Sequence, residues 1–148
     1  MSRIVVGIDG SEASRRALGW AAQEAKLRGA VLRVVHTWQA AYAAPGPTPQ
    51  MDPKYSGDAV ETERRIAEGL VERELDAIES HLAGVRVERE VAQASPAKIL
   101  LAAAEGSEIL VLGSSRHGAL AGVVLGAVGQ ECIQHAPCPV VIVRATGR

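Results

Sequence analysis

Glu108-Ile109-Leu110-Val111-Leu112-Gly113-Ser114-Ser115-Arg116-His117-Gly118, continued to Val140-Val141-Ile142-Val143-Arg144, is the stretch that decides the fold. Its first apolar run, Ile109 to Leu112, is too short for a helix of ordinary length. With no polar alternation it reads as a strand buried on both faces. A polar loop with a glycine at each end follows, Gly113 to Gly118. A small-residue apolar segment, Ala119 to Val128, then leads through Gly129 to His135 toward Pro137-Cys138-Pro139 and a second buried strand, Val140 to Val143. Strand, glycine loop, helix, strand is a βαβ unit. Such a unit presents backbone N–H groups to an anion at the helix N-terminus, so a phosphate-bearing ligand is the first hypothesis.

Working outward, the same alternation recurs. Ile4-Val5-Val6-Gly7-Ile8 is strand one, punctuated by Asp9-Gly10-Ser11, with Ser11 a natural N-cap. Ala13, Ala17, Leu18, Ala21 and Ala25 repeat at helical spacing, and Gly29 is placed to end that helix. Val31 to Trp38 is strand two. Gln39 to Asp58 contains Pro45, Gly46, Pro47, Pro49, Pro53 and Gly57 and is expected to be a long surface loop. From Ala59 to Leu82 a long helix carries the stripe Ala67, Val71, Leu75, Ile78 and Leu82, with charges on its other faces. Val85 to Val91 alternates in part, as a strand near a sheet edge does. Ser95-Pro96 opens a third helix that runs to about Glu105, with Gly106 stopping it.

The order β-α-β-loop-α-β-α-β-α-β predicts a parallel, doubly wound sheet with helices on both faces. Sheets of this kind take ligands beyond the carboxyl ends of their strands, where the strand order reverses. Asp9-Gly10-Ser11, His36-Thr37 and Gly113-Ser114-Ser115 stand at those ends, so sequence-distant polar loops meet on one rim.

Bulk properties narrow the function. At 148 residues the chain is one domain's length, with no internal repeat, and can bury a sizeable core. A net charge of −1 gives no long-range pull toward nucleic acid or an anionic membrane surface. Two Trp, two Tyr and no Phe leave little from which to build base-stacking platforms. Cys132 and Cys138 match no zinc or redox spacing and read as small buried hydrophobes. His36, His81, His117 and His135 show no metal-ligand spacing. Met1-Ser2-Arg3 runs directly into strand one, and the longest uncharged stretch of the last third, His117 to Gln130, falls short of the ~20 apolar residues of a membrane span. A cytoplasmic protein is therefore expected. The chain contains no P-loop, no Gly-x-Gly-x-x-Gly after strand one and no Gly-x-Ser-x-Gly elbow.

Ile4 to Ser11, Val34-Val35-His36-Thr37, and Gly113 to Arg144 with its His135-Ala136-Pro137-Cys138-Pro139-Val140 stretch together resemble the universal stress protein family. The resemblance covers almost the whole chain and implies a five-stranded sheet of order 3-2-1-4-5. Nucleotide-binding members carry Gly-x2-Gly-x9-Gly-Ser/Thr, whose glycines and hydroxyl hold the phosphates and ribose of ATP. Here Gly113 matches the first glycine and Gly126 the third, while Arg116 replaces the second and Ala127 the closing hydroxyl residue.

Arg116 adds bulk and is strained where glycine would adopt positive φ, yet arginine is also a bidentate phosphate donor. Ala127 lacks only one hydroxyl hydrogen bond, worth ~1 kcal/mol net. The resemblance implies ATP or another adenine nucleotide, with or without Mg, held by Ile8, Asp9, Gly10, Thr37, Leu112, Gly113, Ser114, Ser115, Arg116, Gly126, Ala127 and Val128. Asp9 has two readings, a group near the ribose and metal-phosphate end or a turn residue supporting the Ser11 cap. Ser114 and Ser115 either donate to phosphate or solvate the loop. Thr37 lies where the resemblance implies backbone recognition of adenine.

The resemblance also implies a homodimer through Val140–Val143, since an apolar edge strand is normally covered. The alternative is a nucleotide-free dimeric stress module acting through protein–protein contacts, for which Arg116 and Ala127 are the support. An ATPase or phosphotransferase would need a positioned base or an arginine-clamped phosphoryl group. Asp9 alone is thin support, so the expectation is a binding protein with at most weak ATP hydrolysis.

Overall fold

A computed structural model describes residues 2–38, 53–114 and 126–145. Its elements, in chain order, are β1 (Arg3–Gly7), α1 (Glu12–Arg28), β2 (Val31–Trp38), α2 (Pro53–Ala77), a 3₁₀ turn (Glu79–His81), β3 (Val87–Gln93), α3 (Pro96–Ala104), β4 (Ile109–Gly113), α4 (Ala127–His135) and β5 (Val140–Val143). All strands run parallel in one sheet of order β3-β2-β1-β4-β5. The doubly wound sheet expected from the alternation, and its strand order, are what the structure has.

The period of two sorts the strands onto two cores. Ile4, Val6, Leu32, Val34, Ile109 and Val111 face α1 and α2, where Ala17, Leu18, Ala21, Val71 and Leu75 complete the layer. Val5, Val35, Leu110 and Leu112 face the other way, onto Leu100 and Ala104 of α3 and Cys132 of α4. The central strands are apolar on both faces because helices cover both. β3 is an edge strand, and its Glu88 and Glu90 pair with Arg33 of β2 at 3.1 and 2.8 Å. That pairing explains how charged residues sit in a strand otherwise half buried.

Element ends follow local chemistry. Ser11 caps α1 by accepting from Ser14 N at 3.2 Å, and Gly29 closes it in the left-handed region at φ 64°. Two expectations need correction. The helix read as Ala59 to Leu82 starts at Pro53 and ends at Ala77, so the loop read as Gln39 to Asp58 is helical over its last six residues. Proline suits a first helical turn, whose N–H groups have no partner in the helix, and one interior glycine costs only about 1 kcal/mol. At the far end Ile78 leaves helical geometry (φ −116°, ψ 22°) and Glu79–His81 tightens to a 3₁₀ turn. Residues 39–52 of the expected loop lie outside the described residues, as do 119–125 of the apolar segment before α4.

Candidate functional site

The turn after β1 is held by a small network of its own. Ile8 N–H donates to the Val35 carbonyl at 2.9 Å, and the Ile8 carbonyl accepts from His36 Nδ1 at 2.8 Å. A carbonyl only accepts, so Nδ1 of this buried imidazole carries the proton. Asp9 Oδ1 accepts from Ser11 N at 2.9 Å, the turn-forming contact of an aspartate two residues before its partner. The Ser14 hydroxyl accepts from Asp9 N at 3.2 Å and donates to the Ser11 carbonyl at 3.1 Å. The backbone from Ile8 to Ser14 is thereby fixed from both sides.

β4 ends one strand over. Gly113 packs directly on the first turn of α1, and Ser114 N–H donates to the Val143 carbonyl at 2.8 Å. α4 begins opposite. Its N-cap, Gly126, is extended at φ −73°, ψ 178°, and among the described residues no side chain caps it. The first helical bond runs from Gln130 N to the Gly126 carbonyl, so the N–H groups of Ala127, Val128 and Gly129 precede the hydrogen-bonded ladder.

Between these ends lies a cavity of about 400 Å³. Ile8, Asp9 and Ser11 border it from the β1 turn, Ser14 from the first turn of α1, Thr37 and Val35 from β2, and Leu112, Gly113 and Ser114 from β4. Gly126 to Gly129 close it from α4, and Pro96 and Leu100 from α3. Val35, Leu100 and Leu112, neighbours in one core cluster, form its apolar wall, and Ser11, Ser14, Thr37 and Ser114 bring hydroxyls to the lining. Asp9 is the one ionisable side chain among the described lining residues. Among the described residues no three His, Cys, Asp or Glu side chains converge on a metal position. They do not form a metal centre of their own.

Of the residues read from sequence, nine meet at this cavity: Ile8, Asp9, Thr37, Leu112, Gly113, Ser114, Gly126, Ala127 and Val128. Gly10 does not line it. With φ 84° it turns its Cα toward Leu70 of α2, whose Cδ1 lies 3.2 Å from where a Cβ would be. Ser115 and Arg116 lie outside the described residues. The sequence reading passed over Ser14, Leu100 and Pro96 as site residues. Ser14 had a signal, three residues after the Ser11 cap where a side chain can reach back to the turn. Leu100 follows Pro96 by four residues and so shares its helix face.

A cavity at the β1/β4 reversal of a 3-2-1-4-5 sheet defines a doubly wound α/β protein of the kind that holds ligands at its carboxyl rim. The chain belongs to the universal stress protein family, whose model matches residues 1–144. A universal stress protein of Mycolicibacterium smegmatis is 33% identical over 141 residues, covering 95% of this chain and 45% of the relative. Universal stress protein Rv2005c of Mycobacterium tuberculosis is 34% identical over 143 residues, 96% of this chain and 48% of the relative. The chain therefore spans about half the length of the curated relatives it matches.

Two solved structures share the fold. A universal stress protein in complex with cAMP gives a TM-score of 0.67 at 22% identity over 98% of each chain. That from Archaeoglobus fulgidus in complex with dAMP gives 0.56 at 25% identity, over 97% of this chain and 98% of the other. Among the described residues no helix is long and apolar enough to cross a membrane.

Proposed function

We propose that this chain binds an adenine nucleotide in the rim cavity, with the base on the apolar wall and the phosphate at the start of α4. The observation that carries this reading is the pairing, within one cavity of about 400 Å³, of an apolar wall with a helix N-terminus that no described side chain caps. Purines bury apolar faces, and anions are favoured at helix N-termini by the unpaired N–H groups and the helix dipole. Structures of the same fold in complex with cAMP and dAMP support the ligand class. Binding rather than turnover is proposed, because Asp9 Oδ1 is engaged by Ser11 N and serves the turn. Mg enters this reading only as a companion of the nucleotide phosphates.

Isothermal titration calorimetry with ATP, ADP, AMP and cAMP tests it. Saturable heat at one nucleotide per chain supports the reading. No heat at high micromolar ligand refutes it and favours the nucleotide-free module, for which Arg116 and Ala127 stand as the sequence support. Arg116→Gly separates the two roles open to that residue: affinity rises if the side chain obstructs and falls if it holds phosphate. A homodimer through β5 belongs to the same proposal, since β5 is an edge strand of four apolar residues.

A further inference from the structure

Gly113 occupies the first glycine position of the phosphate motif, where the usual reason for glycine is the close approach of a ligand. The strand geometry gives a different reason. Side-chain direction alternates along β4, with Ile109 and Val111 in the core against α1 and α2, and Leu110 and Leu112 in the core against α3 and α4. Position 113 therefore shares the α1 face, opposite to Leu112, whose side chain faces the cavity wall formed with Leu100. A Cβ on Gly113 would sit 2.6 Å from the carbonyl carbon of Ala13, 2.7 Å from Ser14 N and 2.8 Å from the Ala13 carbonyl oxygen. All three are backbone atoms of a helix already tied down at Ser11 and Ser14, so none can rotate aside.

We propose that Gly113 is a positioning residue: its missing side chain lets the first turn of α1 seat against the end of β4, and this contact, not ligand approach, is what requires glycine. The seat matters for the site because Ser14 N is one of the atoms in contact. The hydroxyl of the same residue holds Asp9 N at 3.2 Å, near the outer limit of a hydrogen bond. A methyl at 113 displaces α1, and that bond is the first to be lost. Gly113 is accordingly needed whether or not a ligand is bound, and its presence alone does not count in favour of nucleotide binding. The inference rests on the nucleotide reading only in what it denies to the ligand.

The experiment uses nucleotide-free protein, with Gly113→Ala compared against Gly7→Ala. A Cβ at Gly7 also meets close atoms, Leu100 Cδ2 at 2.9 Å and Leu112 Cδ2 at 3.1 Å, but these are side-chain ends on the other face, able to give way. Overpacking against backbone is expected to lower the Tm of Gly113→Ala by about 4–10 °C, and that of Gly7→Ala by less. Amide exchange adds a readout that general destabilisation does not mimic. Protection at Asp9 should fall about tenfold more than at Leu110, whose N–H bonds Pro139 on the far side of β4. Failure of Gly113→Ala to fold while Gly7→Ala folds also supports the proposal. A Tm within about 1 °C of the parent, equal losses in the two variants, or uniform loss of protection overturns it. Each of these outcomes is read without ligand, so it is separate from a failure of the parent to bind nucleotide.

Discussion

Replacing Ser14 with alanine removes a single oxygen that serves two hydrogen bonds, one accepted from Asp9 N and one donated to the Ser11 carbonyl. Ser14 is buried whereas Asp9 beside it is exposed, so each bond is taken at its ordinary net value and not at the larger cost of a sealed-off polar group. At about 1 kcal/mol net for each bond the loss is about 2 kcal/mol, and the better helix propensity of alanine returns about 0.5. The remaining ~1.5 kcal/mol corresponds to a Tm lower by about 3–6 °C in a domain of this size. Thermal unfolding followed by circular dichroism, at one fixed protein concentration, measures the shift. A urea titration should show the midpoint lowered with the slope unchanged, because the surface exposed on unfolding is the same. In the nucleotide reading, affinity also falls, since Asp9 and Ser11 border the cavity. A Tm equal to or above that of the parent would mean that propensity alone is felt, and the hydroxyl would then not be the hub described above.

Three further outcomes are expected. Burial, with a smaller contribution from Glu131, pushes the Cys132 thiol up to about 11 from an ordinary 9.0. The folded state thus keeps a proton that the unfolded chain releases, so stability falls as pH rises from about 9 toward 11. Urea midpoints across that range should fall more for the parent than for Cys132→Ala, and parallel curves would refute the assignment. Arg33 bridges Glu88 and Glu90, and its guanidinium is held above its usual pKa chiefly by the hydrogen bond to Glu90. Arg33→Met should lower Tm by about 2–4 °C, a half-exposed network being worth about 1 kcal/mol, and molar salt should shrink the deficit. If β5 pairs with its twin, sedimentation equilibrium gives about twice the 15.5 kDa chain mass. Pro139 and Val143 carbonyls bond inward to β4, so alternation turns the Val140 N–H outward, and Val140→Pro should shift the protein toward monomer. A monomeric parent would end that reading.

What could be read in advance depended on how many physical causes agreed at each position. β1 and β4 are apolar on both faces because helices cover both, and such runs stand out in a sequence; β2 departs at Arg33, and β5, read as buried, is only partly buried at the sheet edge. β3 showed itself as an edge by alternating Val87 and Val91 with Glu88 and Glu90. The start of α2 did not show, because Pro53 and Gly57 signal a loop to local reasoning, whereas proline at a first turn is compatible with helix. The rim itself was legible at Asp9, Thr37 and Gly113, which stand at strand ends. Its interior was not: Ser14 and Leu100 are brought in by helix rotation, which strand-end reasoning does not supply. Gly10 carries the opposite lesson, since it flanks Asp9 yet lies against Leu70 of α2.

Gly10 and Arg15, on either side of the α1 cap, both lean on α2: Leu70 fills the space beside the glycine, and Glu74, almost wholly buried, takes Arg15 Nε on both carboxylate oxygens at 3.1 Å. The brim of the crevice is therefore buttressed by a helix none of whose described side chains lines it. In the nucleotide reading, substitutions at 70 or 74 should weaken binding in the calorimetric titration, although neither residue lines the cavity.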